Sequence, residues 1–332
     1  MTVVPLSPVL LTLIIACCTL FLIQLAFVLG IYNRIHQACK KLSGSPAGSN
    51  TPLPPLSVII VTKDTGKVLE ENLSAILEQD YPQFEVIVVN DQSAGEDENI
   101  LKRMEGKYHH LYRTFIPQTA RYISRKKLGI AMGIKASRYE WIVVTEPYCR
   151  PVSPNWLRSL AYRKRIYENH KGFSDQLVLQ RGEDDLFINS VANSYNTQVA
   201  VHPDSIVRMP IPPYKRIWFE EKIGEHVTGH LYHGWARFSN AFETWTCALF
   251  HLITLAGLIL SIISFQWIAT GVFFLLGLIR FIIQMIVFRN TAKDMQEKLC
   301  CVFPVFDLFR PLLSLQLKLL YFMRAKSDFL RK

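Results

Sequence analysis

The chain has 332 residues, half of them hydrophobic, and a formal net charge of +10. Its apolar residues gather in long runs, which excludes an ordinary soluble protein and points to one folded domain joined to membrane segments. The basic balance comes without helix-turn-helix, zinc-finger or RNP-type patterning, which excludes nucleic acid as a partner. Seven cysteines with no CxxC spacing exclude a disulfide framework or a structural zinc site.

The first element is a membrane span. Residues 9–32 carry no charge over 24 positions, enough for a helix across a hydrocarbon core, and the N-terminal transmembrane helix is placed at 8–32. The run is too long for a signal-peptide core and has no basic segment before it. Residues 33–55 form a linker that ends in LSGSPAGSNTPLPP, rich in Ser, Gly and Pro.

A domain over 56–240 follows, with an alternating rhythm. Ser57–Val61 (SVIIV) predicts a buried strand, and Leu69, Leu73, Ile76 and Leu77 have helical spacing. Tyr81-Pro82 breaks the chain before a second strand, FEVIVV at 84–89, which ends in Asn90-Asp91. A helix is predicted over 95–106, a third strand over 114–116, a helix over 124–137 and a fourth strand over 141–144. Strand–helix–strand units of this kind imply an α/β domain with a mostly parallel sheet and helices on its faces. Ligands of such sheets bind at the carboxyl ends of the strands. Thr62–Asp64, Asn90-Asp91 and Thr145–Tyr148 are therefore the candidate site edge.

Three groups there carry charge. Asp91 could accept hydrogen bonds from a nucleobase or ribose, although aspartate also caps turns after strands. Arg125, Lys126 and Lys127 open a helix and form a phosphate-facing cluster or a solvated basic patch. Gly182–Leu186 (GEDDL) precedes a helical segment; capping explains some of its acids, and a general base for a hydroxyl explains three in a row.

Two more spans are predicted within 241–290, at 244–263 and 266–288. Arg280 interrupts the second, and a lone arginine there faces protein, water or headgroups rather than lipid. Residues 301–324 carry Asp307, Arg310, Pro311 and Lys318 and read as an interfacial or re-entrant amphipathic segment. Arg34, Lys40 and Lys41 after the first span, and Arg289, Lys293 and Lys298 after the third, place the domain in the cytoplasm. The chain is thus expected to be a multi-pass protein of the cell (inner) membrane.

In this order, SVIIV, AILEQDYPQFEVIVVNDQS, KKLGIAMGIKAS, YCRPVSPNWL, GEDDLFIN and the WF-x-x-K and TG at 218–229 resemble the membrane-bound family 2 glycosyltransferases of GT-A fold, nearest to a Bacteroides-type subgroup. The resemblance extends through LIRFIIQMIVF and so covers nearly the whole chain. It implies inverting transfer of a sugar from a nucleotide-sugar donor, UDP-linked, to an envelope glycan or lipid-linked acceptor at the membrane. Asp91 then matches the aspartate that holds uracil or ribose, with Thr62, Asp64, Lys127 and Glu146 at the donor and Glu183 and Lys222 in support. Asp184 matches the base that deprotonates the acceptor hydroxyl. A divalent metal, Mg²⁺ or Mn²⁺, ordinarily neutralises the diphosphate leaving group.

Four places depart from the family's pattern. Glu146-Pro147-Tyr148 replaces the metal-binding Asp-x-Asp, which leaves Glu146 as the one metal oxygen. Asp64-Thr65 stands where an Asn-Glu pair is usual, and Glu221–Glu225 replaces a basic diphosphate motif of which Lys222 alone survives. Only 32 residues separate Arg150 from Glu183, which shortens the acceptor region. The departures open an alternative: a catalytically degenerate homologue that binds a nucleotide sugar, a lipid or a partner protein.

Overall fold

The computed structural model describes residues 7–43, 53–91, 95–117, 124–159, 162–174, 177, 179, 181–210, 215–299 and 303–323. The chain divides into two compact units: Met1–Ser45 with Gly234–Leu319, and Pro46–His233 with Leu320–Lys332. In chain order, α1 (Pro8–Phe27) passes through a π-helical turn at Val28–Tyr32 into α2 (Asn33–Ser43). The second unit then holds β1 (Leu56–Thr62), α3 (Gly66–Leu77), β2 (Phe84–Asn90), α4 (Glu96–Lys107), β3 (Leu111–Phe115), α5 (Arg125–Ala136) and β4 (Trp141–Thr145). It continues with β5 (Arg150–Pro151), β6 (Tyr162–Arg163), α6 (Lys164–Asn169), α7 (Asp185–Val191), β7 (Val207–Arg208) and α8 (Lys215–Gly229). The chain returns to the first unit with α9 (Ala236–Ile263), α10 (Trp267–Asp294) and α11 (Phe303–Phe322).

The main sheet has the order β3-β2-β1-β4-β6, parallel throughout except for β6. Ile59 lies between Ile87 of β2 and Val144 of β4 within the sheet, and apolar clusters cover β1 and β2 on both faces. That is why their sequences are continuous apolar runs without alternation. Val58, Ile60, Val86 and Val88 pack against Leu69, Leu73 and Ile76 of α3 and Ile100, Leu101 and Met104 of α4. On the other face Ile59 and Ile142 pack against Ile130 and Ile134 of α5, together with Phe173 and Phe187.

Helix α5 lies flush on β1 because two of its residues have no side chain. A Cβ on Gly133 would stand 2.4 Å from Ile59 Cγ2, and one on Gly129 would stand 2.8 Å from Val61 Cγ1. The spacing of four puts both glycines on one helix face. This close approach sets the N-terminus of α5 at the carboxyl end of the sheet. Gly133→Val is expected to lower stability by about 3 kcal/mol through overpacking, read as a fall of several degrees in a thermal melt.

In the first unit three helices are long and apolar enough to cross a membrane: Pro8–Lys41, Arg237–Ile263 and Trp267–Asp294. Arg280, expected to face protein, water or headgroups rather than lipid, faces protein. Arg280 is buried, and its Nη2 donates to Asp307 Oδ2 at 2.6 Å and to Gln24 Oε1 at 3.0 Å. Arg310 pairs with Glu243 and lies 3.3 Å from Asp307 Oδ1, so two guanidiniums and two carboxylates balance. Residues 303–322 form a single helix through Pro311, and its Asp307 is turned inward onto α10. Cys247, His251 and Asp307 bring one donor atom each within 4.8 Å of one another. Asp307 is already shared by two guanidiniums, so a divalent cation there would face two positive charges.

Candidate functional site

The carboxyl ends of β1, β2 and β4 and the start of α5 bring the charged groups together. Asp91 leaves β2 with its backbone N–H donating to Thr62 O at 2.8 Å. Its carboxylate is buried, ion-paired with Arg125 at the start of α5 and 3.6 Å from Lys63. Ser124 caps that helix by accepting from the Lys127 N–H. Thr62 is fully buried, and among the described residues its hydroxyl has no hydrogen-bond partner. Asp64 is exposed in a left-handed turn (φ 50°).

The loop after β1 is closed by a residue that the sequence reading did not single out. Asp97, buried at the start of α4, accepts from the Thr65 N–H at 3.1 Å and the Gly66 N–H at 2.6 Å. It also accepts from the Thr65 hydroxyl at 3.1 Å. It therefore caps α3 from 31 residues further along the chain. Its signal was the run Glu96-Asp97-Glu98, which reads as ordinary acidic residues of a first helical turn.

The turn after β4 is fixed from two sides. Cys149 N donates to Glu146 O at 3.0 Å, and Asn72 Nδ2 of α3 donates to Pro147 O at 2.9 Å. Glu146 is ion-paired with Lys126, whose Nζ also lies 2.5 Å from Glu183 Oε1. Those two carboxylates hold the Lys126 ammonium well above the usual lysine range against the opposing effect of burial. Burial pushes the Tyr148 phenol up, with further help from the negative charges of Glu146, Asp97 and Asp64, so it is neutral.

A cavity of about 270 Å³ opens beside this turn. Its polar rim is Lys126, Thr145, Glu146, Glu183 and Asp184, over an apolar floor that includes Val61, Ile130, Phe173 and Phe187. Lys127, one residue on, is fully buried and its Nζ donates to Arg181 O at 2.9 Å. Burial pulls its pKa down to about 8, although Glu183, Asp185 and Asp184 pull the other way.

The three acids of 183–185 take separate tasks. Glu183 holds Lys126. Asp185 accepts from the Thr228 hydroxyl at 2.5 Å and the Tyr232 hydroxyl at 2.8 Å, which ties α7 to the end of α8. Burial and that carboxylate push the Tyr232 phenol up to about 12. Asp184 caps α7 by accepting from the Asp185 N–H at 2.7 Å, and among the described residues it makes no ion pair. It is exposed on the cavity rim. Lys222 is engaged within α8, its Nζ 2.9 and 2.8 Å from the two Glu225 oxygens.

The short 150–183 stretch keeps only small elements. Arg150-Pro151 pair with Val207-Arg208, and Trp156 is buried in the core under α3.

Residues 57–229 match the model of glycosyl transferase family 2. The chain belongs to that family. Among solved structures it is similar to the mannosyltransferase PcManGT from Pyrobaculum calidifontis in complex with GDP-Man and Mn²⁺. The two share 16% identity with a TM-score of 0.53, over 83% of this chain and 98% of that one. It is also similar to S. aureus TarS 1–349 in complex with UDP, at 16% identity and a TM-score of 0.38, over 73% of this chain and 88% of that one. A comparison with curated protein sequences returned no match. At 16% identity the mannosyltransferase structure establishes a shared fold: an α/β domain of GT-A type with a mostly parallel central sheet.

The residues around the turn after β4 offer a divalent cation a poor seat. Glu146 is the one carboxylate of its turn and it already binds an ammonium. Tyr148 is a neutral phenol, a weak partner for a hard cation. Among the described residues, the one converging trio of His, Cys or acidic donors is in the other unit.

Proposed function

We propose that this chain is a membrane-bound family 2 glycosyltransferase that transfers a sugar, with inversion, from a nucleotide sugar to a hydroxyl of an envelope glycan or lipid-linked acceptor. The observation that carries this reading is the gathering of Lys126, Glu146, Glu183 and Asp184 around one cavity at the carboxyl end of β4, with Asp91 at the end of β2 ion-paired to Arg125 at the start of the same helix α5. Such an edge is where doubly wound sheets bind nucleotides. In this reading Asp91 faces the base or ribose and the cavity takes the sugar and diphosphate. Asp184 accepts the proton of the acceptor hydroxyl, whose oxygen attacks the anomeric carbon while the nucleoside diphosphate departs. The solved mannosyltransferase is in complex with GDP-Man and Mn²⁺, whereas Glu146 and Tyr148 offer a divalent ion a poor seat here. The basic residues that follow α1 and end α10 support a cytoplasmic domain on an inner membrane.

A second reading has its own support. Asp91 is already paired with Arg125, and Lys126 with two carboxylates, so both cations are engaged before any ligand arrives. That engagement of both cations suits a homologue that binds a nucleotide sugar or partner without turnover. Calorimetric titration of UDP and GDP into the detergent-solubilised chain tests the shared part. One nucleotide is expected to bind, and Asp91→Ala to weaken it by about tenfold or more, the loss of a charged hydrogen bond. Absence of heat with both nucleotides would overturn the proposal. Sugar release or transfer from the donor separates the enzyme from the silent homologue.

A further inference from the structure

The cation of this cavity is already built into the chain. We propose that the Lys126 ammonium takes the place of the divalent metal, so that donor binding here is independent of metal ions and depends on Lys126. The inference rests on reading the cavity as a nucleotide-sugar site.

Three observations support it. The first is position: Lys126 Nζ lies between Glu146, at the carboxyl end of β4, and Glu183, beside the candidate base. A divalent ion entering between these carboxylates would have to displace that ammonium or sit against its charge. The second is donor count. An ammonium has three N–H donors; Glu146 and Glu183 engage two, which leaves the third for a phosphate oxygen at the cavity rim. The Lys126 side chain is 41% exposed, so it can reach a ligand without being unburied. The third is charge: two carboxylates at ion-pair distance from Nζ favour the ammonium form.

The arrangement also predicts a weakness. Two carboxylates around one monovalent cation leave a net charge of −1, where a divalent ion would leave none. A diphosphate must therefore compete with Glu146 and Glu183 for the same ammonium, and affinity in the wild type is limited by that competition. Glu146 then has opposite roles under the two views. As a metal ligand it helps donor binding; as a partner of Lys126 it opposes it.

The experiment titrates UDP and GDP into the full chain in detergent, with Mn²⁺ and with EDTA, for wild type, Glu146→Gln and Lys126→Met. Removing the Glu146 charge is expected to tighten nucleotide binding several-fold in EDTA. Lys126→Met is expected to weaken it about tenfold, the loss of a charge-assisted hydrogen bond. Mn²⁺ is expected to change neither value by more than about twofold. Lys126→Arg, which keeps the charge, retains most of the affinity, and a thermal melt of each variant checks folding. Binding that requires Mn²⁺ and is lost in Glu146→Gln would overturn the inference while leaving the nucleotide site standing. No binding to wild type or to Glu146→Gln under any condition would overturn the site itself, and the inference with it.

Discussion

Asp184→Asn is expected to lower the rate of sugar transfer by about 10²–10⁴-fold, the usual contribution of a general base, while nucleotide affinity stays within about twofold. The reason lies in the division of labour among three adjacent acids. Glu183 is tied to an ammonium, and Asp185 accepts from two hydroxyls of 228 and 232. Each would have to break a partner before it could take a proton. Asp184 is exposed on the cavity rim with a single hydrogen bond to the next backbone N–H. The asparagine keeps that cap, because its side-chain oxygen accepts the same bond, so the helix start is preserved and only basicity is lost. Asp185→Asn serves as the contrast: it should weaken the link between α7 and α8 and lower the melting temperature, with a smaller effect on rate. A single-turnover transfer assay, paired with a nucleotide titration, separates the two. Turnover within about fivefold of wild type in Asp184→Asn would remove Asp184 from the base role.

Much of the fold is legible in the chain, and the reason is burial. SVIIV and FEVIVV are strands covered on both faces, so no alternation is needed to recognise them. The edge strand was harder. It runs Leu111–Phe115 rather than 114–116, because the exposed Tyr112 and the charged Arg113 dilute the apolar signal while Leu111 pairs with Val86. The helix that holds the second span begins at Ala236, eight residues before its uncharged run, since Glu243 is paired with Arg310 and can be buried within the helix. The site was legible by location but not by role. Adjacent helical residues point about 100° apart, so KK at 126–127 does not say which lysine meets the cavity. The Ser124 cap and the glycine face of α5 decide it. Asp97 was hidden for a related reason: its partners lie 31–32 residues away, beyond any local pattern.

The largest stability effect is expected from Asp307→Ala, which should lower the melting temperature of the detergent-solubilised protein by roughly ten degrees, corresponding to about 3–5 kcal/mol. Asp307 is the hinge of the charge balance in the membrane unit. It accepts from Arg280 at 2.6 Å and faces Arg310 at 3.3 Å, and both guanidiniums stay behind when it is removed. Arg310 keeps Glu243, but Arg280 is left with the neutral amides of Gln24 and Gln284 in a helix apolar enough to span a bilayer. An uncompensated charge in that setting is costly. Removing both charges gives a different outcome. Arg280→Leu combined with Asp307→Leu takes away a matched pair, so the double variant should melt well above the single one, since apolar replacements of buried ion pairs are often neutral. Added salt should change little, because screening acts weakly on a buried pair. If Asp307→Ala melts within a degree of wild type, the pair contributes no stability and Arg280 must be solvated by water. Recovery in the double variant would instead show that the membrane unit needs balanced charge, and not the charges themselves, to hold α10 and α11 together.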